Sequence, residues 1–88
     1  MTDRLKIRAD IDAADMKLLD ALVERWTSVA KVKTDKIASW DKVHDPQREA
    51  YVIESRREWA IERNLDPDMA EELFRTVMKF SVAFQREQ

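Results

Sequence analysis

The charged residues of this 88-residue chain are most informative where they interrupt apolar stripes. Leu18, Leu22, Arg25, Val29, Val32 and Lys36 recur at steps of four and three, which places them on one helix face. Arg25 and Lys36 thus hold seam positions that Leu or Ile normally fills. A buried cation is costly unless paired, so these two face either carboxylates of the protein or an anionic ligand. In a second segment Asp45, Arg48, Glu49 and Val52 share a face. In a third, the stripe Leu73, Phe74, Val77, Met78, Ser81, Phe84, Gln85 is broken by Ser81 and Gln85, at i and i+4. Singly, each has a structural explanation: surface ion pairs for Arg48 and Glu49, a hydroxyl bonded to its i−4 carbonyl for Ser81, a frayed helix end for Gln85. Jointly they form a cationic, amide-rich set, Arg8, Arg25, Lys36, Arg48 and Gln85, with Asp45 and Glu49 as acceptors. That set suits a small dicarboxylate carrying a hydroxyl. Guanidiniums grip carboxylates bidentately, a carboxylate accepts from the hydroxyl, and Lys and Gln donate to an oxygen that gains negative charge. No nucleophile or activated general base stands out.

Composition narrows the chemistry further. Cys is absent, which excludes disulfides, thiolate catalysis and thiolate metal sites. His44 is the single histidine, so one chain cannot assemble a His triad or a multi-His zinc site. Gly is absent, which removes every glycine-rich phosphate loop and dinucleotide fingerprint. No metal and no cofactor are expected. Sixteen Lys and Arg against 18 Asp and Glu give a net charge of −2, without the basic footprint of a nucleic-acid binder. The apolar runs are too short to span a membrane, and Met1–Lys6 contains no apolar signal core, so a cytoplasmic location is expected. Trp26 and Trp59 read as core residues, and Trp40 and His44 as residues of a connection.

Three helices must position these groups, at about 4–39, 46–63 and 67–86, with no linker or repeat between them. Asp45-Pro46 and Asp66-Pro67 each read as an N-cap followed by Pro at the first helical position. Asn64 tolerates the left-handed conformation and ends the second helix where Gly is usual. At 1.5 Å per residue the first helix exceeds about 50 Å, and the others reach only roughly 27–30 Å. They cannot cover its stripe of Ile7, Ile11, Ala14, Leu18, Leu22, Val29 and Val32, which would otherwise form an exposed patch. The expected fold is therefore all-α, one domain over residues 1–88, with one long and two shorter helices interlocked in a homodimeric bundle. A long solvent-exposed helix is the plain alternative. Arg8 lies about 25 Å along the axis from Arg25 and about 100° around it, so one small ligand meets both only if Arg8 comes from the second chain.

At this level of detail the sequence resembles the all-helical class of chorismate mutases. The matching blocks are Arg8-(x)2-Ile11-Asp12-(x)2-Asp15-(x)2-Leu18-Leu19-(x)4-Glu24-Arg25, Lys36, and Asp45-Pro46-(x)1-Arg48-Glu49, followed by Leu65-Asp66-Pro67, Leu73-Phe74-Arg75 and Ser81-(x)3-Gln85. The ordered set, more than any one block, carries the resemblance, which spans nearly the whole chain. It implies three helices in an interlocked dimer with two sites, and conversion of chorismate to prephenate by a Claisen rearrangement without a covalent intermediate. Carried over residue by residue, Arg25 and Arg48 clamp substrate carboxylates and Arg8 meets one from across the dimer. Lys36 contacts a carboxylate and the ether oxygen, and Gln85 is the second donor to that oxygen. Glu49 accepts from the ring hydroxyl with the Asp45 segment beside it, and Ser81 is a further contact. Val32, Val52, Met78 and Val82 are the apolar walls. Asn64 departs from the Gly often found before Leu-Asp-Pro in the family, at a small expense in stability.

Three competing functions share these residues. An isochorismate pyruvate lyase would use the same scaffold but lacks the acidic pair that Asp45 and Glu49 supply here. A mutase for the 4-amino analogue of chorismate is equally served by Glu49, which accepts from an ammonium as from a hydroxyl. A non-catalytic helical dimerisation module would explain the heptad seam but leaves the inward polar residues unaccounted for. No amino-acid effector site is expected within this chain.

Overall fold

The computed structural model describes the backbone of residues 2–34 and 46–87, and the side chains of residues 3–31 and 46–83. The described residues form three helices: α1 (Thr2–Thr34), α2 (Pro46–Glu62) and α3 (Pro67–Glu87). The described residues contain no strand. This is the all-α architecture read from the sequence, although residues 35–39, the expected end of the first helix, lie outside the described part.

The α2–α3 hairpin is specified by local chemistry at each end of its connection. Asn64 adopts φ 60°, the left-handed region. This lets the Leu65 amide donate to the Ala60 carbonyl (2.8 Å) and the Asn64 amide to the Ile61 carbonyl (3.0 Å). That pair of bonds is a Schellman closure, which satisfies carbonyls the helix end would otherwise leave open. Two residues later Asp66 Oδ1 accepts from the Asp68 amide (2.9 Å), capping α3, and Pro67 occupies the first turn where no amide is needed. Arg57 then ties the helices together. Its Nη1 lies 2.9 Å from both Asp68 Oδ1 and Glu71 Oε1, and Glu71 Oε2 in turn holds Arg75.

The core lies mainly between α2 and α3. Val52, Ile53, Ala60 and Ala70 are its buried apolar residues, and Ser55 and Ser81 are buried with them. α1 packs on α3, and only its later part is covered: Leu22, Arg25, Trp26, Val29 and Ala30 are half-buried. Towards its N-terminus Leu5, Ile7, Ile11, Leu18 and Leu19 are all more than half exposed. The stripe on α1 therefore outruns the helices of its own chain, as the length arithmetic requires. The molecule measures 56 × 27 × 16 Å with a radius of gyration of 16.1 Å, against about 12 Å for a compact chain of this length. Trp59, read as core, is instead 45% exposed and lies under the guanidinium of Arg56 at 4.4 Å.

Candidate active site

The covered part of α1 brings Arg25 to α3. Arg25 Nη1 donates to Ser81 Oγ at 2.6 Å, and that hydroxyl donates to the Val77 carbonyl at 2.9 Å. Ser81 thus does two things: it satisfies its own proton within the helix and fixes the direction of a guanidinium from another element. Two residues 56 positions apart, both picked from the sequence as polar groups on apolar stripes, are joined directly.

Arg25 sits in a cationic setting. Burial pushes its guanidinium below the usual value, and the charges of Arg56 and Arg48 push it the same way. Burial and the charge of Arg48 likewise lower Arg56, opposed by Tyr51. Among the described residues no carboxylate comes within ion-pair distance of any of these three arginines. Arg48 lies at the start of α2, exposed, with its guanidinium 5.2 Å from the centroid of the Tyr51 ring. Two like charges beside a partly dehydrated third are unfavourable for the empty chain. An anion would remove that penalty, and the bidentate forks of Arg suit a carboxylate.

Arg56 is the residue that the sequence reading missed. Its guanidinium is stacked over Trp59 and lies 5.5 Å from Phe74, its Nη1 donates to Ser55 Oγ at 2.9 Å, and its Nε is buried without a partner. The signal was present. Val52, Ile53, Arg56 and Ala60 follow helical spacing, so Arg56 is a cation in an apolar seam by the rule that singled out Arg25.

The remaining expected site residues divide into groups. Glu49, Met78 and Val82 line one groove, together with Arg75 and Lys79. Val52 is 3% exposed and belongs to the α2–α3 core. Arg8 is exposed on the uncovered part of α1, and nothing among the described residues brings it to Arg25. Lys36 and Asp45 lie outside the described residues, as do Trp40 and His44. Val32 and Gln85 fall in helical backbone, with side chains outside the described part. Among the described residues no group of three or more His, Cys, Asp or Glu is placed to hold a metal ion, and no helix is long and apolar enough to cross a membrane.

Comparison with known proteins places the chain in a family. The T-protein of Enterobacter agglomerans is 37% identical over 75 residues, which is 85% of this chain and 20% of that protein. A chorismate mutase of Methanocaldococcus jannaschii is 28% identical over 82 residues, 93% of this chain and 83% of the relative. A bifunctional chorismate mutase/prephenate dehydratase of Stutzerimonas stutzeri is 33% identical over 90 residues, 96% of this chain and 24% of the relative. The chain therefore spans a quarter or less of two of these relatives and most of the third. No solved structure matches it significantly. The family profile described as chorismate mutase type II matches residues 7–86, which include Arg8, Arg25, Arg48, Glu49 and Ser81. With nearly its whole length matched, the chain belongs to the chorismate mutase type II family.

Proposed function

We propose that this chain is a chorismate mutase that converts chorismate to prephenate as a cytoplasmic homodimer. The observation that carries the reading is the Arg25–Ser81 contact between α1 and α3, with Arg48 and Arg56 adding charge and no described carboxylate neutralising them. The reaction is an intramolecular Claisen rearrangement. One C–O bond breaks as one C–C bond forms, so no nucleophile or proton shuttle is needed. The protein's task is to hold a flexible dianion in a chair-like, diaxial form and to stabilise charge that gathers on the ether oxygen. In this reading Arg25, Arg48 and Ser81 bind the carboxylate side, and Glu49, with Asp45 beside it, accepts from the ring hydroxyl. Lys36 and Gln85 donate to the ether oxygen. Val32, Met78 and Val82 flank the ring, with Val52 supporting them from the core.

The exposed stripe on α1 supports the dimer. A chain of this mass has an accessible surface of about 5,400 Å² when compact, whereas this one exposes 7360 Å². The excess, about 2,000 Å², is the scale that one partner buries in an obligate dimer. Antiparallel pairing of two α1 helices covers Ile7, Ile11 and Leu18 and brings Arg8 of one chain towards the Arg25 of the other.

Loss of chorismate absorbance on adding purified protein, with the product identified by chromatography, tests the reading. Prephenate is expected, and Lys36→Ala should lower kcat by roughly 100- to 1,000-fold or more. Salicylate and pyruvate formed only from isochorismate would replace the reading with a lyase. No turnover of any such substrate by a folded dimer would leave a dimerisation module.

A further inference from the structure

The groove that contains Glu49 carries two cations that the proposed function does not use. It is lined by Glu49 of α2 and by Arg75, Met78, Lys79 and Val82 of α3. The charge of Arg75 is already engaged: its Nη2 lies 2.9 Å from Glu71 Oε2, and its Nε donates to the same oxygen at 3.0 Å. Lys79 is exposed, and among the described residues no carboxylate lies within ion-pair distance of it. Glu49 is the one carboxylate among the groove's lining residues. Two positive side chains therefore share a small space with the group read as the acceptor for the ring substituent.

Glu49 alone would not select between ring substituents. A carboxylate accepts a hydrogen bond from a hydroxyl and binds an ammonium at least as well. A neighbouring cation changes that balance. It leaves the neutral hydroxyl nearly untouched and repels an ammonium, which an alkylamine carries at neutral pH. We propose that Lys79, backed by Arg75, is a specificity-determining residue that makes the groove beside Glu49 take a substrate with a ring hydroxyl and refuse its counterpart with an ammonium at that position. The inference rests on the proposed mutase reading and on the role of Glu49 within it. The two substrates carry the same two carboxylates, so any general attraction of Lys79 for the dianion cancels in the ratio of their rates.

The test compares kcat/KM for chorismate and for 4-amino-4-deoxychorismate in the wild type, Lys79→Gln and Lys79→Glu. The wild type should favour the hydroxyl substrate. That preference should fall roughly threefold in Lys79→Gln and about tenfold in Lys79→Glu at low salt. Raising salt from about 20 mM to about 300 mM should shrink the differences, since the groove is open to solvent. The exposure of Lys79 keeps the fold out of the comparison. A wild type that prefers the ammonium substrate, or a ratio within twofold of wild type in both variants while chorismate is still turned over, overturns the proposal alone. Turnover of neither substrate by the wild type overturns it together with the mutase reading.

Discussion

Arg25 combines the features expected of a ligand-binding guanidinium: partial burial, one neutral hydrogen-bond partner in Ser81, and like charges from Arg48 and Arg56 nearby. Its replacement should separate function from stability. Arg25→Ala is expected to lower kcat/KM by two or more orders of magnitude. Thermal stability should change little, because the lost Ser81 contact is offset by the relief of repulsion; circular dichroism and steady-state kinetics would show both. Arg56→Leu probes the missed residue. It removes an unpartnered buried Nε, worth about 1–3 kcal/mol, and a stacked cation of comparable worth. Stability should therefore hold to within about 1 kcal/mol, while KM for the dianion rises several-fold. Gln85 is neutral, so activity should be nearly flat from about pH 6 to 8, whereas Gln85→Glu should lose kcat as pH rises, because only a protonated Glu can donate to the ether oxygen. A pH–rate profile of both enzymes decides it. At this scale Arg25 and Ser81 were legible as polar residues that break apolar stripes, and Arg56, which breaks one too, was passed over. What spacing did not reveal was company: that Arg25 meets Ser81, or that Lys79 shares a groove with Glu49, depends on how α3 packs against α1 and α2.

The helices were legible from their end chemistry. Asp66-Pro67 caps α3, and Asn64 closes α2 in the left-handed region, as their types and positions require. Asn64→Gly should stabilise the chain by up to about 1 kcal/mol, since Gly reaches φ 60° without the Cβ penalty. Asn64→Val should destabilise it by a similar or larger amount, and thermal melts would rank the three. The Arg57–Glu71–Arg75 network that staples α2 to α3 was not anticipated, because surface ion pairs cannot be assigned from sequence before the helices are docked. Within it, the hydrogen bond from Arg75 foremost, with Arg57 adding to it and partial burial opposing, holds the Glu71 carboxyl below its usual value. A carboxylate with a lowered folded value contributes stability above its unfolded value and loses it as pH falls through the folded one. The wild type should therefore melt above Glu71→Gln at pH 7, and the gap should close as pH drops below the usual carboxylate range. The C-terminal end of the long helix, by contrast, carries no comparable stop signal in the sequence.

The described part of the chain is sparsely packed within itself. Val52, Ile53, Ala60 and Ala70 are its buried apolar residues. In the proposed dimer association adds burial, so the melting temperature should rise with protein concentration. Leu18→Asp, on the uncovered stripe, should yield a poorly folded monomer without activity. Sedimentation alongside kinetics would show whether the two losses coincide. Such a dimer is also what would bring Arg8 to a site it cannot reach in its own chain. Helix number, the helix ends at the α2–α3 turn and the surplus stripe on α1 were dictated locally: periodicity, caps and rise per residue depend on near neighbours in the chain. Which stripes are covered, which arginines crowd together and which carboxylate has a lysine beside it are tertiary facts. They are set by helix crossing and side-chain direction, and a one-dimensional spacing rule places a residue on a face without saying what that face meets.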